Sequence, residues 1–262
     1  MAYSQVIVGT TSSHPAVRKI GLEDLKDALS KGVDDFLAMP SHVFFLCLIY
    51  PIAVLFLARL ISGYDVLPLL FPIAAGSALL GPFAAVGLYE LSKQREEGRE
   101  VSWRDAFDFI RCRSFGALMA LGLVLLAVFF AWLTVAHLIY IKNFGEAPAA
   151  SIPHFFTQIV TTGAGWRLII VGNAVGFLFA VLVLTISVVS FPLLVDCELG
   201  AAPAVLTSIR VVLANPVTMA IWGLIVASLL VIGGIVFLLG LAVVLPILGH
   251  STWHLYRKVV QV

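Results

Sequence analysis

Residues 217–256 run for 40 residues without a single Asp, Glu, Lys or Arg. A helix crosses roughly 30 Å of hydrocarbon in about 20 mostly apolar residues, so this stretch is twice what one crossing needs. Gly233, Gly234 and Gly240 put a turn between two crossings somewhere in 233–240. One strongly tilted helix is the alternative. Four more apolar stretches have spanning length: about 42–62, 66–91 (after the turn Ser62-Gly63-Tyr64-Asp65), 115–140 and 167–195. With 61% hydrophobic and 12% charged residues and a mean hydropathy of +1.05, the chain lacks the polar surface a soluble globule of this size must expose. A soluble enzyme, a disordered chain and a nucleic-acid-binding protein are excluded.

The basic residues orient the spans. Arg18, Lys19, Lys26 and Lys31 precede the first. Lys93, Arg95, Arg99, Arg104, Arg111 and Arg113 separate the second from the third, Arg210 the fourth from the fifth, and Arg257 and Lys258 follow the sixth. Thirteen of the sixteen thus fall on one side, which is expected to be cytoplasmic, together with both termini. Arg59, Lys142 and Arg167 take the other side. The outer loop 141–166 carries an apolar patch, Ile152 to Phe156, with Trp166 as an interfacial anchor. Cys47, Cys112 and Cys197 have no paired spacing, and no disulfide framework is expected. The N-terminus has no basic-then-apolar pattern of a cleaved signal, and residues 1–20 read as a flexible polar tail.

A short amphipathic segment precedes each pair of spans on the expected cytoplasmic side. In the first, Leu22, Leu25, Leu29, Val33 and Phe36 recur at helical steps, with Glu23, Asp24, Lys26, Lys31, Asp34 and Asp35 on the other face. In the second, Ser102 is placed to cap a helix whose stripe is Trp103, Ala106, Phe107 and Ile110. In the third, Pro203 lies near the first turn and Leu206, Ile209 and Leu213 are in line. The first and third align without gaps: Ala28 on Ala204, Val33 on Ile209, Leu37-Ala38 on Leu213-Ala214 and Pro40 on Pro216. The even-numbered spans also echo one another in Gly81-Pro82-Phe83, Phe191-Pro192-Leu193 and Leu245-Pro246-Ile247. The expected fold is therefore all-α: a polytopic bundle of six transmembrane helices in three hairpins, each preceded by a cytoplasmic amphipathic helix. One transmembrane domain, 21–262, is built of units at about 21–91, 101–199 and 201–257, and duplication explains the pattern.

Ionisable groups are almost absent from the span interiors, where Asn173, Thr185, Ser187 and Ser190 are the main polar residues. That argues against a proton or sodium relay, which needs costly buried charge. The densest polar cluster lies at the expected cytoplasmic ends: Glu90, Asp196, Glu198, His250 and His254, with His42 at the start of the first span. His250 and His254 are four apart, hence on one helix face, and two imidazoles with a carboxylate from another hairpin can ligate a metal. The commoner reading of His, Trp and Tyr at this depth is an ordinary headgroup boundary. No Walker loop, G-x-S-x-G elbow, kinase set or dinucleotide fingerprint occurs, so no enzyme is expected.

The run Leu22 to Pro40, the Gly81-Pro82 span and the ending Gly249 to Arg257 resemble a family of uncharacterised integral membrane proteins of proteobacteria. The likeness covers nearly the whole chain after residue 20, and Thr252-Trp253-His254-x-Tyr256-Arg257 is its most specific part. Members often carry the label cytochrome c oxidase subunit I. A catalytic subunit of that kind needs many more spans and buried histidines for two haems and a copper, whereas the six histidines here lie mostly at span ends or outside them. The resemblance implies a bacterial inner-membrane protein and, at most, association with a respiratory complex. The expected function is accordingly a non-catalytic accessory or assembly subunit, among membrane lipids and other integral subunits, with bound lipid and no cofactor. A small-solute transporter or channel is the alternative, and a redox protein with a His-ligated metal or haem the further one.

Overall fold

A computed structural model describes residues 15–39, 68–145, 151–235 and 237–261. The expected first span, 42–62, and His42 lie outside the described residues. Among the described residues four stretches are long and apolar enough to cross a membrane: Leu70–Glu96, Phe115–Phe144, Gly163–Asp196 and Pro216–Ile235. They coincide with the expected second, third, fourth and fifth spans, the second shifted a few residues toward the C-terminus.

Two of the four are interrupted, and proline is the reason. The first consists of α2 (Leu70–Ser77), a 3-10 turn (Ala78–Leu80), α3 (Gly81–Ala84) and α4 (Val86–Glu96). Pro82 has no N–H for the ladder that arrives from α2, so the chain tightens before it and restarts after it. The third consists of α7 (Gly163–Ser187) and α8 (Ser190–Asp196), with Pro192 in the first turn of α8 unable to bond residue 188. The second stretch, α5 (Phe115–Phe144), has no proline and is unbroken. Trp132 of α5 donates from Nε1 to the Pro72 carbonyl at 2.8 Å and lies against Gly76, which fastens α2 to α5. At that end of α5, Tyr140 and Phe155 of α6 (Ile152–Thr161) form a small apolar cluster with Phe144 and Leu168.

The fourth stretch, α10 (Pro216–Ile235), packs along α11 (Phe237–Val259). The end of one helix and the start of the other fall inside the 233–240 window, and a Cβ on Gly233 would lie 3.3 Å from the Gly240 carbonyl carbon. A Cβ on Gly240 would run into the Gly233 carbonyl oxygen, so no larger residue fits at 240 without a shift of the backbone.

α1 (Leu22–Ala38) opens with Glu23 and Asp24 in its first turn, and Asp24 accepts the Gly21 N–H at 2.9 Å. It packs chiefly on α11. Its buried face is only partly the expected one: Leu25 and Leu29 of the expected stripe pack inward. Leu25, Ala28, Gly32 and Asp35 are buried, whereas Leu22, Val33 and Leu37 are exposed. The small residues permit close contact with α11, so they decide the rotation, and Leu22, Val33 and Leu37 face outward. α9 (Ala201–Ala214) behaves alike: Ala204, Ser208 and Val211 are buried, at the positions that align with Ala28, Gly32 and Asp35, while Leu213 is exposed like Leu37. The segment expected as a second surface helix is a 3-10 helix, Asp105–Arg111. Ser102 does not cap it with its hydroxyl; instead its backbone N–H donates to Asp105 at 2.6 Å. Trp103, Phe107 and Ile110 of the expected stripe are exposed, and Ala106 is partly buried against the core.

The last residues of the expected tail are tied down. β1 (Ala16–Val17) pairs antiparallel with β2 (Val260–Gln261), and Ile20 is buried. Asn215, between α9 and α10, accepts the Ile20 N–H at 2.9 Å and donates to the Arg18 carbonyl at 3.1 Å, and Thr218 donates to the Ile20 carbonyl at 3.0 Å. Asn215→Ala leaves two backbone groups without partners, at a cost of about 1–3 kcal/mol each where they are buried. Amide exchange of residues 16–20 is expected to rise sharply in that variant; unchanged protection would show that the two-residue sheet holds the segment without Asn215.

Candidate functional site

Three elements meet where α1 crosses the C-terminal half of α11 and the end of α4. Residues 250 and 254 lie one turn apart on α11, and residues 92 and 95 likewise on α4. Between them comes Asp35, in the last turn of α1 and 4% exposed.

Asp35 Oδ2 accepts the Ser92 hydroxyl at 2.6 Å and stands 2.9 Å from His254 Nε2, while Oδ1 accepts from the Arg95 guanidinium. His250 is 0% exposed. Its Nδ1 is 2.7 Å from Ser92 Oγ and 3.9 Å from Asp35 Oδ2, and the ring also hydrogen-bonds the Leu88 backbone. The Ser92 hydroxyl has one proton for two neighbours. Donation to Asp35 makes His250 Nδ1 the donor to the serine oxygen, and the opposite choice leaves Asp35 with the His254 and Arg95 hydrogen bonds alone.

Burial pushes the Asp35 carboxyl up, but hydrogen bonds from His254 and Ser92 and the nearby imidazoles outweigh it, and the group is held below its ordinary value of 3.8. Its contribution to stability is therefore complete above that value and is lost as pH falls through the lower, folded one. In acid titration from about pH 5 downward, wild-type protein is expected to lose melting temperature more steeply than Asp35→Asn. Parallel curves would remove Asp35 from the account of acid stability.

A second set of polar contacts surrounds this centre. Trp253 Nε1 donates to Glu96 at 3.0 Å, Arg257 reaches both Glu96 and Asp196 at 3.3 Å, and Tyr256 donates to Asp196 at 2.6 Å. Lys258 pairs with Asp27 at 2.8 Å. Together these contacts join α1, α4, α8 and α11 at one end of the bundle.

Of the residues proposed from sequence, His250 and His254 do come together, but on Asp35. Glu90 is buried and accepts from Gln94 at 2.8 Å; Asp196 is held by Tyr256 and Arg257; Glu198 pairs with Arg113 at 3.0 Å on the surface. Asp35, Ser92 and Arg95 were not foreseen in this role. The available signal was the spacing Ala28, Gly32, Asp35, which sets small residues and an acid on one helix face. Among the described residues no group of three or more His, Cys, Asp and Glu side chains is arranged to hold a metal ion. Chemically, the cluster satisfies one buried carboxylate with three donors. The Ser92 hydroxyl in it is itself buried.

Residues 70–196 match the model of a family described as predicted integral membrane protein (DUF2189). This chain is an integral membrane protein. The matched stretch runs from α2 through α8 and so includes Ser92, Arg95 and Asp196, whereas Asp35, His250 and His254 lie on either side of it. No curated protein and no solved structure matches the chain.

Proposed function

We propose that this chain is a non-catalytic accessory or assembly subunit of a larger membrane complex, a respiratory one by the resemblance noted above. It would sit in a bacterial inner membrane with both termini cytoplasmic. The segment 42–62 and α11 would complete six spans in three hairpins, and the shared burial of Ala28 with Ala204 favours the repeat units 21–91, 101–199 and 201–257. One observation carries the functional reading: the acids Asp35, Glu96 and Asp196 at the termini-bearing end are spent on other elements of the fold. Each accepts from donors there, which makes this end a rigid cap and not an open reactive site. The exposed Trp103, Phe107 and Ile110 and the outward Leu22 and Leu37 give that cap apolar surface for a neighbour.

The test is purification of the tagged full chain from its native membrane in mild detergent, with co-purifying proteins identified by mass spectrometry. Stoichiometric recovery of other integral subunits is expected. Recovery of the chain alone overturns the reading. A second reading, a small-solute carrier or channel, is favoured by the interruptions at 78–85 and 188–189, since carriers break helices around their sites. Solute-dependent thermal stabilisation of the isolated chain would support it.

A further inference from the structure

Between Glu198 and Arg257 the chain carries one charged residue, Arg210. It stands exposed on α9, and among the described residues no hydrogen bond or ion pair reaches it. Leu206 and Leu213, on the same helix face, are 41% and 73% exposed, and Val217 just beyond is 71% exposed. An unpaired guanidinium among outward-facing leucine and valine side chains is a cation set at an apolar surface, where its stem lies on hydrocarbon and its head seeks an anion.

Two open apolar grooves are lined by residues that precede and follow Arg210 in the chain. One, of about 500 Å³, is lined by Leu121 and Val124 of α5, Ile186 of α7, and Val205, Leu206 and Ile209 of α9. The other, of about 420 Å³, runs along α10 from Pro216 and Val217 to Leu224. Leu206 and Ile209 of the first and Val217 of the second bracket Arg210 in the chain. Every lining side chain is apolar, and neither α9 nor α10 contains a carboxylate.

We propose that Arg210 and the two grooves form a binding site for an anionic diacyl phospholipid, with the phosphodiester on the guanidinium and one acyl chain along each groove. Two hydrocarbon channels of similar size beside a single cation match one headgroup bearing two chains. Arginine also presents the paired donors that a phosphate accepts. A partner's transmembrane helix would fill an apolar groove but would leave Arg210 without a counter-charge.

The experiment uses the full chain in detergent, incubated with equal amounts of phosphatidylglycerol and phosphatidylcholine and analysed by native mass spectrometry. Wild type is expected to retain phosphatidylglycerol preferentially. Arg210→Ala should lower that retention about tenfold, a difference of about 1.4 kcal/mol, without lowering the melting temperature, because Arg210 holds nothing in the fold. Arg210→Lys should keep part of it, since the charge stays and the paired geometry goes. Ala120→Phe fills the first groove and should lower retention of both lipids. Equal phosphatidylglycerol retention by wild type and Arg210→Ala overturns the proposal. So does a photo-cross-linker at Leu213 that captures protein and no lipid in native membranes. Lipid retention is read on the isolated chain, so its outcome is separate from whether a complex co-purifies.

Discussion

Asp35→Ala is expected to destabilise the protein by about 3–5 kcal/mol, the cost of removing one member of a buried charged set and stranding the others. The size of the effect follows from what remains. His250 and Ser92 have essentially no exposed surface, so the polar atoms that now reach Asp35 directly or through one hydroxyl would have no water to turn to. Arg95 contributes less, because its side chain is 38% exposed and solvent screens it. Asp35→Asn keeps the volume and one acceptor oxygen but sets an amide NH2 against donors, and an intermediate loss is expected. Ser92→Ala should cost less than either, since it removes a donor and an acceptor together and leaves His250 its Leu88 contact.

The decisive comparison is the double-mutant cycle between Asp35→Ala and Ser92→Ala, read as unfolding in detergent. If the two losses add, the residues do not act as a unit and the cluster is a set of unrelated contacts. Strong non-additivity, with the double variant little worse than Asp35→Ala alone, is the expected result. Loss of the cluster should also free α1, because its other polar ties to the bundle are peripheral ion pairs such as Lys258 with Asp27. Protease sensitivity between residues 22 and 38 then rises before the rest of the chain unfolds.

How much of this was legible in the sequence divides along a physical line. The spans announced themselves, because hydrocarbon imposes a minimum length and a near absence of charge, and 115–140 and 167–195 were placed within a few residues of α5 and the α7–α8 stretch. Pro82 and Pro192 were visible too, though their effect on the ladder needed the backbone to be seen. The rotation of α1 was only partly legible. Hydrophobic periodicity points large apolar residues inward, a rule that holds when water lies outside. For a helix at a bilayer the outside is partly hydrocarbon, so Leu22, Val33 and Leu37 can face outward while Ala28 and Gly32, which offer the closest approach, face α11. Asp35 is carried inward by that rotation and was therefore misread as part of a solvated face. His250 and His254 were recognised as a pair on one helix face, but the choice of acid depends on tertiary contacts, and sequence proximity to span ends favoured Glu90, Asp196 and Glu198 equally.

The same rotation makes the sign of a glycine substitution diagnostic. In a helix interior Gly→Ala ordinarily stabilises by about 0.5–1 kcal/mol, since alanine has less backbone freedom to lose. That gain is expected for Gly172→Ala in α7, where an added Cβ meets nothing within 4 Å. Gly32→Ala should reverse it. A Cβ there runs into the Ser251 hydroxyl and comes within 2.7 and 2.8 Å of the Ser251 backbone nitrogen and Cα, and overpacking of this kind costs about 1–3 kcal/mol or more. Relief by bending a side chain is closed off, because two of the three atoms met are backbone. Ser251→Gly, which removes the hydroxyl, should therefore recover only part of the loss. Full recovery would mean that the contact is one flexible side chain and that α1 does not lie backbone to backbone on α11. If α1 is instead pushed away, Asp35 leaves Ser92 and His254 with it. Gly32→Ala and Asp35→Ala combined should then fall far short of additive, and simple additivity of the two would separate the close approach of the helices from the carboxylate it delivers.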